Sequence, residues 1–392
     1  MNTSRKFKIG IANSYYYPDV VGGAEVVVKI LAETYRKLGH EVFVITSGKE
    51  DRVDDVNGIK VYRVKNRNLY WGKESKKHNS IEKIFWHWIN INNPLVKRKV
   101  GEIVEKEKPD IIHTHNLNEL TFGVLETFSR SGAKLIHTLH DYSFMCLNTM
   151  MFKDMKNCEK ICPGCLLYAS LKKKFTGYVD YLVGVSRFIV ERHRKHGFFT
   201  NREFSVIYNP VTFRIPDTIE RNHKDLIFGF IGRLHPSKGI EILLKTFDTI
   251  KKPLLVAGNP YTESYGTYLK SISKSGNIKF LGWVQAEEFY KLVDVIILPS
   301  LWHDPSPTVI HEANAYGVPV LASNRGGLPE LVHKGVNGFI FNPLEPDSLA
   351  ELVNSLDRNT IDELSMKSIE LSKKFLPEKV ALQYIETMLT KL

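Results

Sequence analysis

Residues 294–332 hold the order of elements that most limits the fold. An apolar run from Val295 to Leu298 leads into Pro299-Ser-Leu-Trp-His-Asp304-Pro-Ser-Pro-Thr-Val-Ile-His-Glu312. The spacing predicts a buried strand, a loop and then a helix. Ser306 is the expected N-cap and Pro307 the first helical residue. Gly317 stops the helix, and Val318-Pro-Val-Leu-Ala322 starts a second strand. Strand, loop, helix and strand in that order form a crossover unit, which calls for a parallel sheet covered by helices. Asp304 then sits on the loop at a strand's carboxyl end, the edge where open α/β sheets bind ligands. Glu312 sits about a turn and a half into the helix. The free N–H groups of that helix's first turn suit a phosphate. Taken alone, such an acid pair would be a loop acid and a solvated helix residue. Its setting argues otherwise.

The pattern recurs. Lys8-Ile-Gly-Ile-Ala12 reads as a strand, residues 13–23 as a loop ending in Gly22-Gly23, residues 24–38 as a helix and 41–46 as a strand. Two adjacent glycines at a helix start let a backbone approach a phosphate, although most such pairs only make turns. Further on, Leu226 to Ile231 is a strand, followed by Gly232-Arg-Leu-His-Pro-Ser-Lys-Gly239 and a helix at 240–250. Arg233 can fork to two phosphate oxygens and Lys238 adds a point charge. A surface basic pair is the plain alternative. Residues 119–130 read as a helix, and the strand at 134–141 brings His137, His140 and Asp141 to a carboxyl end.

A chain of 392 residues is long for one core and points to two domains. It has no run of 18 apolar residues, and its N-terminus lacks a signal-peptide core, so a cytoplasmic protein is the default expectation. The formal charge of +11 draws polyanions without choosing among them. No helix-turn-helix, zinc-finger spacing or RNP-type motif stands out, so nucleic acid is not an expected partner. Residues 63–77 are basic with Tyr70 and Trp71 interleaved, and 81–89 form an aromatic-rich helix. They read either as a solvated loop with a packed helix or as a patch for an acceptor or an anionic membrane surface.

All four cysteines fall between 146 and 165, as Cys146-x11-Cys158-x3-Cys162-x2-Cys165. Four thiolates suit tetrahedral Zn²⁺ or an iron–sulfur centre, so a structural metal is expected here and a catalytic one is not. Unconnected thiols, or two disulfides in an oxidising compartment, are the alternatives.

The run from Asp304 through Glu312 to Asn324-Arg-Gly-Gly-Leu-Pro-Glu330 resembles the donor-site motif of the retaining glycosyltransferases of family 4. Gly22-Gly23 and the Arg233–Lys238 loop match that family too, and the resemblance spans essentially the whole chain. The first acid is usually Glu in the family and is one methylene shorter here. Pro307 stands where many members have Gly, which removes one backbone donor. The resemblance implies the GT-B fold: α/β, with two doubly wound Rossmann-like domains facing a central cleft. Residues 1–215 would form an acceptor-binding domain, with the 377–392 helix crossing back to it. Residues 216–376 would bind a nucleotide-diphosphate sugar, with 216–224 as crossover linker.

In that implied scheme Arg233 and Lys238 clamp the diphosphate, Glu312 holds the ribose, and Asp304 holds the sugar. Backbone groups near Ser306, Thr308 and Val309 help, Gly258 and Val284 line the base pocket, and His140 touches a sugar hydroxyl, with His137 left to packing. Gly22 and Gly23 would face the diphosphate. The implied activity is transfer of a hexose-type sugar with retention, without a catalytic cofactor, to a glycan or lipid-linked acceptor in cell-surface polysaccharide or glycolipid synthesis. An epimerase or phosphorylase on the same fold, and a non-catalytic glycan or lipid binder, remain open alternatives.

Overall fold

The computed structural model describes residues 5–211, 225–345 and 347–391; the expected linker at 216–224 lies outside the described residues. The chain divides into two compact units. One comprises Met1–Met151, Cys158–Pro210 and Pro377–Leu392, the other Phe152–Asn157 and Val211–Leu376.

In chain order the first part runs β1 (Lys8–Asn13), α1 (Gly23–Lys37), β2 (Glu41–Gly48), β3 (Arg52–Val56), β4 (Ile59–Lys65), α2 (Ser80–Ile91), α3 (Pro94–Glu107), β5 (Ile111–Thr114), α4 (Val124–Arg130) and β6 (Lys134–Leu139). The small hairpin of β7 (Phe152–Lys153) and β8 (Lys156–Asn157) belongs to the second unit. Then come α5 (Pro163–Lys173), β9 (Tyr181–Gly184), α6 (Arg187–Lys195) and β10 (Phe204–Val206). The sheet order is β10-β9-β6-β5-β1-β2-β4-β3, and only the β3–β4 pair is antiparallel. The inner strands β1, β2, β5, β6 and β9 are apolar almost throughout because helices cover both faces. One core joins Ile9, Ile11, Val27, Leu31 and Tyr35 to Val380, Ala381, Tyr384, Ile385 and Met388 of the C-terminal helix.

The helix expected at 119–130 starts only at Val124. Thr121 has a positive φ of 67°, and its hydroxyl donates to Asn90 O at 2.8 Å. Tying the turn to the end of α2 holds the chain out of helical geometry until Gly123.

The second unit continues with β11 (Phe228–Ile231), α7 (Ile240–Ile250), β12 (Leu254–Ala257), α8 (Glu263–Ile272), β13 (Ile278–Gly282), α9 (Ala286–Leu292), β14 (Val295–Leu298), α10 (Thr308–Ala315), β15 (Val320–Ser323), α11 (Leu328–Leu331), β16 (Gly338–Phe341), α12 (Ser348–Ser355) and α13 (Arg358–Ser372); α14 (Pro377–Thr390) is the helix that joins the first unit's core. The sheet is fully parallel in the order β13-β12-β11-β14-β15-β16. The first strand of this unit lies between its second and fourth, which is the Rossmann order. Phe228, Phe230, Val256, Val295 and Ile297 pack there against Leu243, Leu244 and Phe247 of α7.

Candidate active site

In the second unit's strand order, the connections leaving β11 and β14 run to opposite sides of the sheet. A crevice therefore opens at the carboxyl ends of those two strands. The loop after β11 carries Arg233 and Lys238, and the loop after β14 carries Asp304. Backbone bonds tie the two loops together: Leu301 N and Trp302 N donate to Ser237 O at 2.8 and 3.2 Å. Gly239 makes this contact possible. Its φ is +70°, and a Cβ there would stand 1.9 Å from Pro299 O.

The docking brings Lys238 Nζ to 2.5 Å from Asp304 Oδ2 and 5.3 Å from the centre of the Trp302 ring. Asp304 is 5% exposed and is fixed at both ends. Its N–H donates to Trp302 O at 2.9 Å, and its carbonyl accepts from Gly327 N at 2.8 Å. Arg233 is exposed and makes no hydrogen bond or ion pair with the described residues. His235 stands among these charges. Burial, then Arg233 and Lys238, lower its pKa, so it adds no charge at neutral pH.

Helix α10 starts one residue later than its sequence signals. Pro307, with φ −69° and ψ 128°, is the N-cap in place of Ser306, and Thr308 is the first helical residue. A proline's fixed φ fits either the cap or the first helical position, and the extended ψ of Pro307 makes it the cap. The N–H groups of Thr308 and Val309 have no acceptor among the described residues. Glu312, 9% exposed, accepts from the buried Tyr290 hydroxyl at 2.9 Å. Burial and that carboxylate together push the Tyr290 pKa well up. Gly258 closes the end of β12 with φ +130°, where a Cβ would stand 1.8 Å from Gly232 O. Its N–H donates to Gly282 O at 2.7 Å, and half-buried Val284 follows β13. The second unit therefore gathers Arg233, Lys238, Gly258, Val284, Asp304, Ser306, Thr308, Val309 and Glu312 along the carboxyl edge of its sheet.

In the first unit, β1 lies between β2 and β5, and Gly22-Gly23 opens α1 after the carboxyl end of β1. Gly22 N donates to Glu25 Oε2 at 2.7 Å in a capping box. Gly22 is exposed with φ −158°. A Cβ at this position would lie 3.7 Å from its nearest neighbour, Glu25 Oε2, so nothing in its own unit demands a glycine. His137 is buried, 2.8 Å from Thr114 Oγ1 through Nδ1 and stacked on Phe199. His140 is part-buried, and its Nε2 lies 2.9 Å from His115 Nδ1. Burial lowers the His140 pKa to about 4. Sequence reasoning passed over His115. Its signal was the His113-Thr114-His115 alternation, which points two imidazoles to one side of a strand end.

The expected metal centre finds no support in the structure. Among the described residues no group of three or more His, Cys, Asp or Glu side chains could hold a metal ion. Cys162 is the N-cap of α5, and Cys165 N donates to Cys162 O at 2.9 Å in its first turn. The thiols of Cys146 and Cys165 hydrogen-bond to each other, and Cys146 Sγ also donates to Asn148 Oδ1 at 2.8 Å. Nearby, Lys172 is fully buried. Its Nζ donates to Ser143 O at 2.5 Å and lies 3.6 and 3.7 Å from the Phe122 and Tyr168 ring centres.

Two doubly wound sheets, parallel except for the β3–β4 pair and one of them in the Rossmann strand order, are the two Rossmann-like domains of the GT-B fold. The chain belongs to the glycosyl transferases group 1 family: that family's model matches residues 212–375, and the Glycosyltransferase Family 4 model matches residues 21–213. An uncharacterised 42.6 kDa protein in the cps region of Klebsiella pneumoniae is 33% identical, over 82% of this chain and 86% of the relative. The lipopolysaccharide 1,2-N-acetylglucosaminetransferase of Salmonella typhimurium is 30% identical over 41% of this chain and 47% of its own. Among solved structures, Anabaena HepE in complex with UDP superposes with a TM-score of 0.73, at 20% identity, over 98% of this chain and 100% of that one.

Proposed function

We infer that this glycosyltransferase moves a hexose-type sugar, with retention, from a nucleotide-diphosphate donor to a glycan or lipid-linked acceptor of cell-surface polysaccharide. The observation that carries the reading is the second unit's switch point. There one unpaired guanidinium, one lysine and two unengaged helix N–H groups lie on the edge where α/β sheets take phosphates. The diphosphate is then the ligand of Arg233 and Lys238, whose charges stabilise it as it leaves. Asp304 holds sugar hydroxyls, with the Thr308 and Val309 amides beside it. Glu312, kept in place by Tyr290, accepts from the ribose hydroxyls. Gly258 and Val284 present backbone to the base. In the first unit His140 is read as a contact for a sugar hydroxyl, and Gly22 leaves an open surface suited to phosphate.

The chemistry needs charge stabilisation and positioning rather than a protein-bound metal. The departing phosphate assists attack on the same face of the sugar. The cell-surface setting draws on the names of the Klebsiella and Salmonella relatives, and the nucleotide on the UDP held by HepE. The test is Lys238→Ala, assayed for transfer from a panel of nucleotide sugars. A loss of at least 100-fold in a folded protein is expected, and unchanged turnover refutes the assignment.

A lipid-linked acceptor also accounts for α2. Its Ile81, Ile84, Phe85 and Trp88 recur at helical spacing and are all exposed, with Lys77 and Lys83 beside them. No helix among the described residues is long and apolar enough to cross a membrane. This face instead lies on an anionic bilayer surface, apolar side down, with the lysines at the headgroups. Phe85→Glu should abolish flotation with phosphatidylglycerol vesicles, whereas retained flotation removes this surface from the account.

A further inference from the structure

We propose that His115 sets the tautomer of His140, so that His140 presents its Nδ1–H outward as a hydrogen-bond donor. The proposal rests on the reading of His140 as a sugar contact.

His115 follows β5 and His140 follows β6, two neighbouring parallel strands in which Thr114 pairs with His137. The register brings His115 Nδ1 to 2.9 Å from His140 Nε2. Burial keeps both rings neutral at pH 7, and two neutral imidazoles at this distance share one proton: one ring donates and the other accepts. The direction follows from the other nitrogen of His115. Its Nε2 is buried without a partner, and His115 is fully buried. His113 offers it nothing. That ring lies 4.1 Å from the His115 ring, centre to centre, but its own nitrogens face Tyr35 OH and Thr138 Oγ1. A buried N–H without an acceptor is rarer than a buried acceptor without a donor. The His115 proton therefore sits on Nδ1, and its N–H donates to His140 Nε2.

His140 must then carry its own proton on Nδ1. That nitrogen has no partner among the described residues and is not sealed from solvent. The strand end thus presents a neutral donor of fixed direction. Such a donor suits the oxygen of a sugar hydroxyl and needs no charged ring. His115 is a positioning residue, since it acts only through His140.

Nitrogen-15 histidine spectra of the full chain at pH 7, with His140→Ala to assign the signal, decide the point. The expected spectrum shows the His140 proton on Nδ1. In His115→Phe, which fills the space without a nitrogen, the His140 Nε2 signal should shift as its lone pair loses the donated N–H, and transfer should fall roughly tenfold in kcat. His115→Asn, which puts an amide N–H where Nδ1–H stood, should restore both in part. A wild-type His140 protonated on Nε2, or a spectrum that does not change in His115→Phe, overturns the proposal. The wild-type spectrum decides even if the variants do not fold. The reading of His140 fails separately: if His140→Ala transfers at the wild-type rate while the tautomer is as stated, the sugar contact is wrong and the pairing of the two rings stands.

Discussion

Replacing Asp304 with Asn separates binding of the diphosphate from handling of the sugar. Asn keeps the side chain's volume and removes the charge. The carboxylate is 5% exposed, and its partner lysine's side chain is 29% exposed, at 2.5 Å. An exposed pair of this kind is worth at most about 1 kcal/mol, and breaking a fully buried one costs roughly 3–5 kcal/mol. With one partner sealed and the other partly open, the expected loss is about 2 kcal/mol, or some 4–8 °C in the melting of a unit of this size. Binding should move the other way. Lys238 no longer spends its charge on Asp304, and a diphosphate no longer meets a carboxylate. One unit charge at about 6 Å in an effective dielectric near 20 is worth about 3 kcal/mol before screening, and ~1 kcal/mol is a reasonable remainder at a solvent-facing loop. UDP or ADP should therefore bind several-fold tighter to Asp304→Asn by calorimetry. Transfer should slow by roughly 10–100-fold, because a charge-assisted hydrogen bond to the sugar becomes a neutral one. If diphosphate affinity fell in step with transfer, the division of roles between Lys238 and Asp304 would be wrong.

Two further outcomes follow from the packing. Gly239→Ala places a Cβ 1.9 Å from Pro299 O at a φ of +70°, so it should separate the two loops, cost at least about 2 kcal/mol and weaken nucleotide binding with it; a thermal melt with and without UDP checks both. Stability should also fall steeply as pH drops from about 6.5 towards 4. His87, His140, His193 and His311 have pKa values lowered to about 4 and His113 to about 3, each first by burial, and His115 and His137 are held well down. In that window the unfolded chain binds protons that the folded chain refuses, so the stability present above pH 6.5 is lost at up to ~1.4 kcal/mol per histidine per pH unit. Glu119, raised to about 7 by burial, runs the other way but is outnumbered. A urea midpoint that stays flat from pH 7 to pH 5 would contradict this.

The elements around the second unit's site were readable because parallel strands buried on both faces are written as short apolar runs, as at Val295–Leu298 and Phe228–Ile231. The loops that follow them begin or end with a glycine or a proline. The contacts between those loops were not readable. That Leu301 and Trp302 bond to Ser237, and so bring Lys238 onto Asp304, depends on strand order, which no local pattern states. The start of α10 moved from Pro307 to Thr308 because a proline fits either the N-cap or the first helical position, and only ψ tells them apart. Cysteine spacing suggested a metal, and spacing alone cannot show that the Cys146 and Cys165 thiols hydrogen-bond to each other or that Cys162 stands at the N-cap of α5. The same limit hid His115: its meaning lies in a neighbouring strand's histidine, 25 residues on.

The most direct measurement is a crystal structure of the chain with a nucleoside diphosphate bound. The pyrophosphate is expected at the carboxyl ends of β11 and β14, within hydrogen-bonding distance of Arg233 and Lys238, with the ribose hydroxyls on Glu312. A diphosphate bound at any other edge of the molecule, or one touching neither Arg233 nor Lys238, would contradict it.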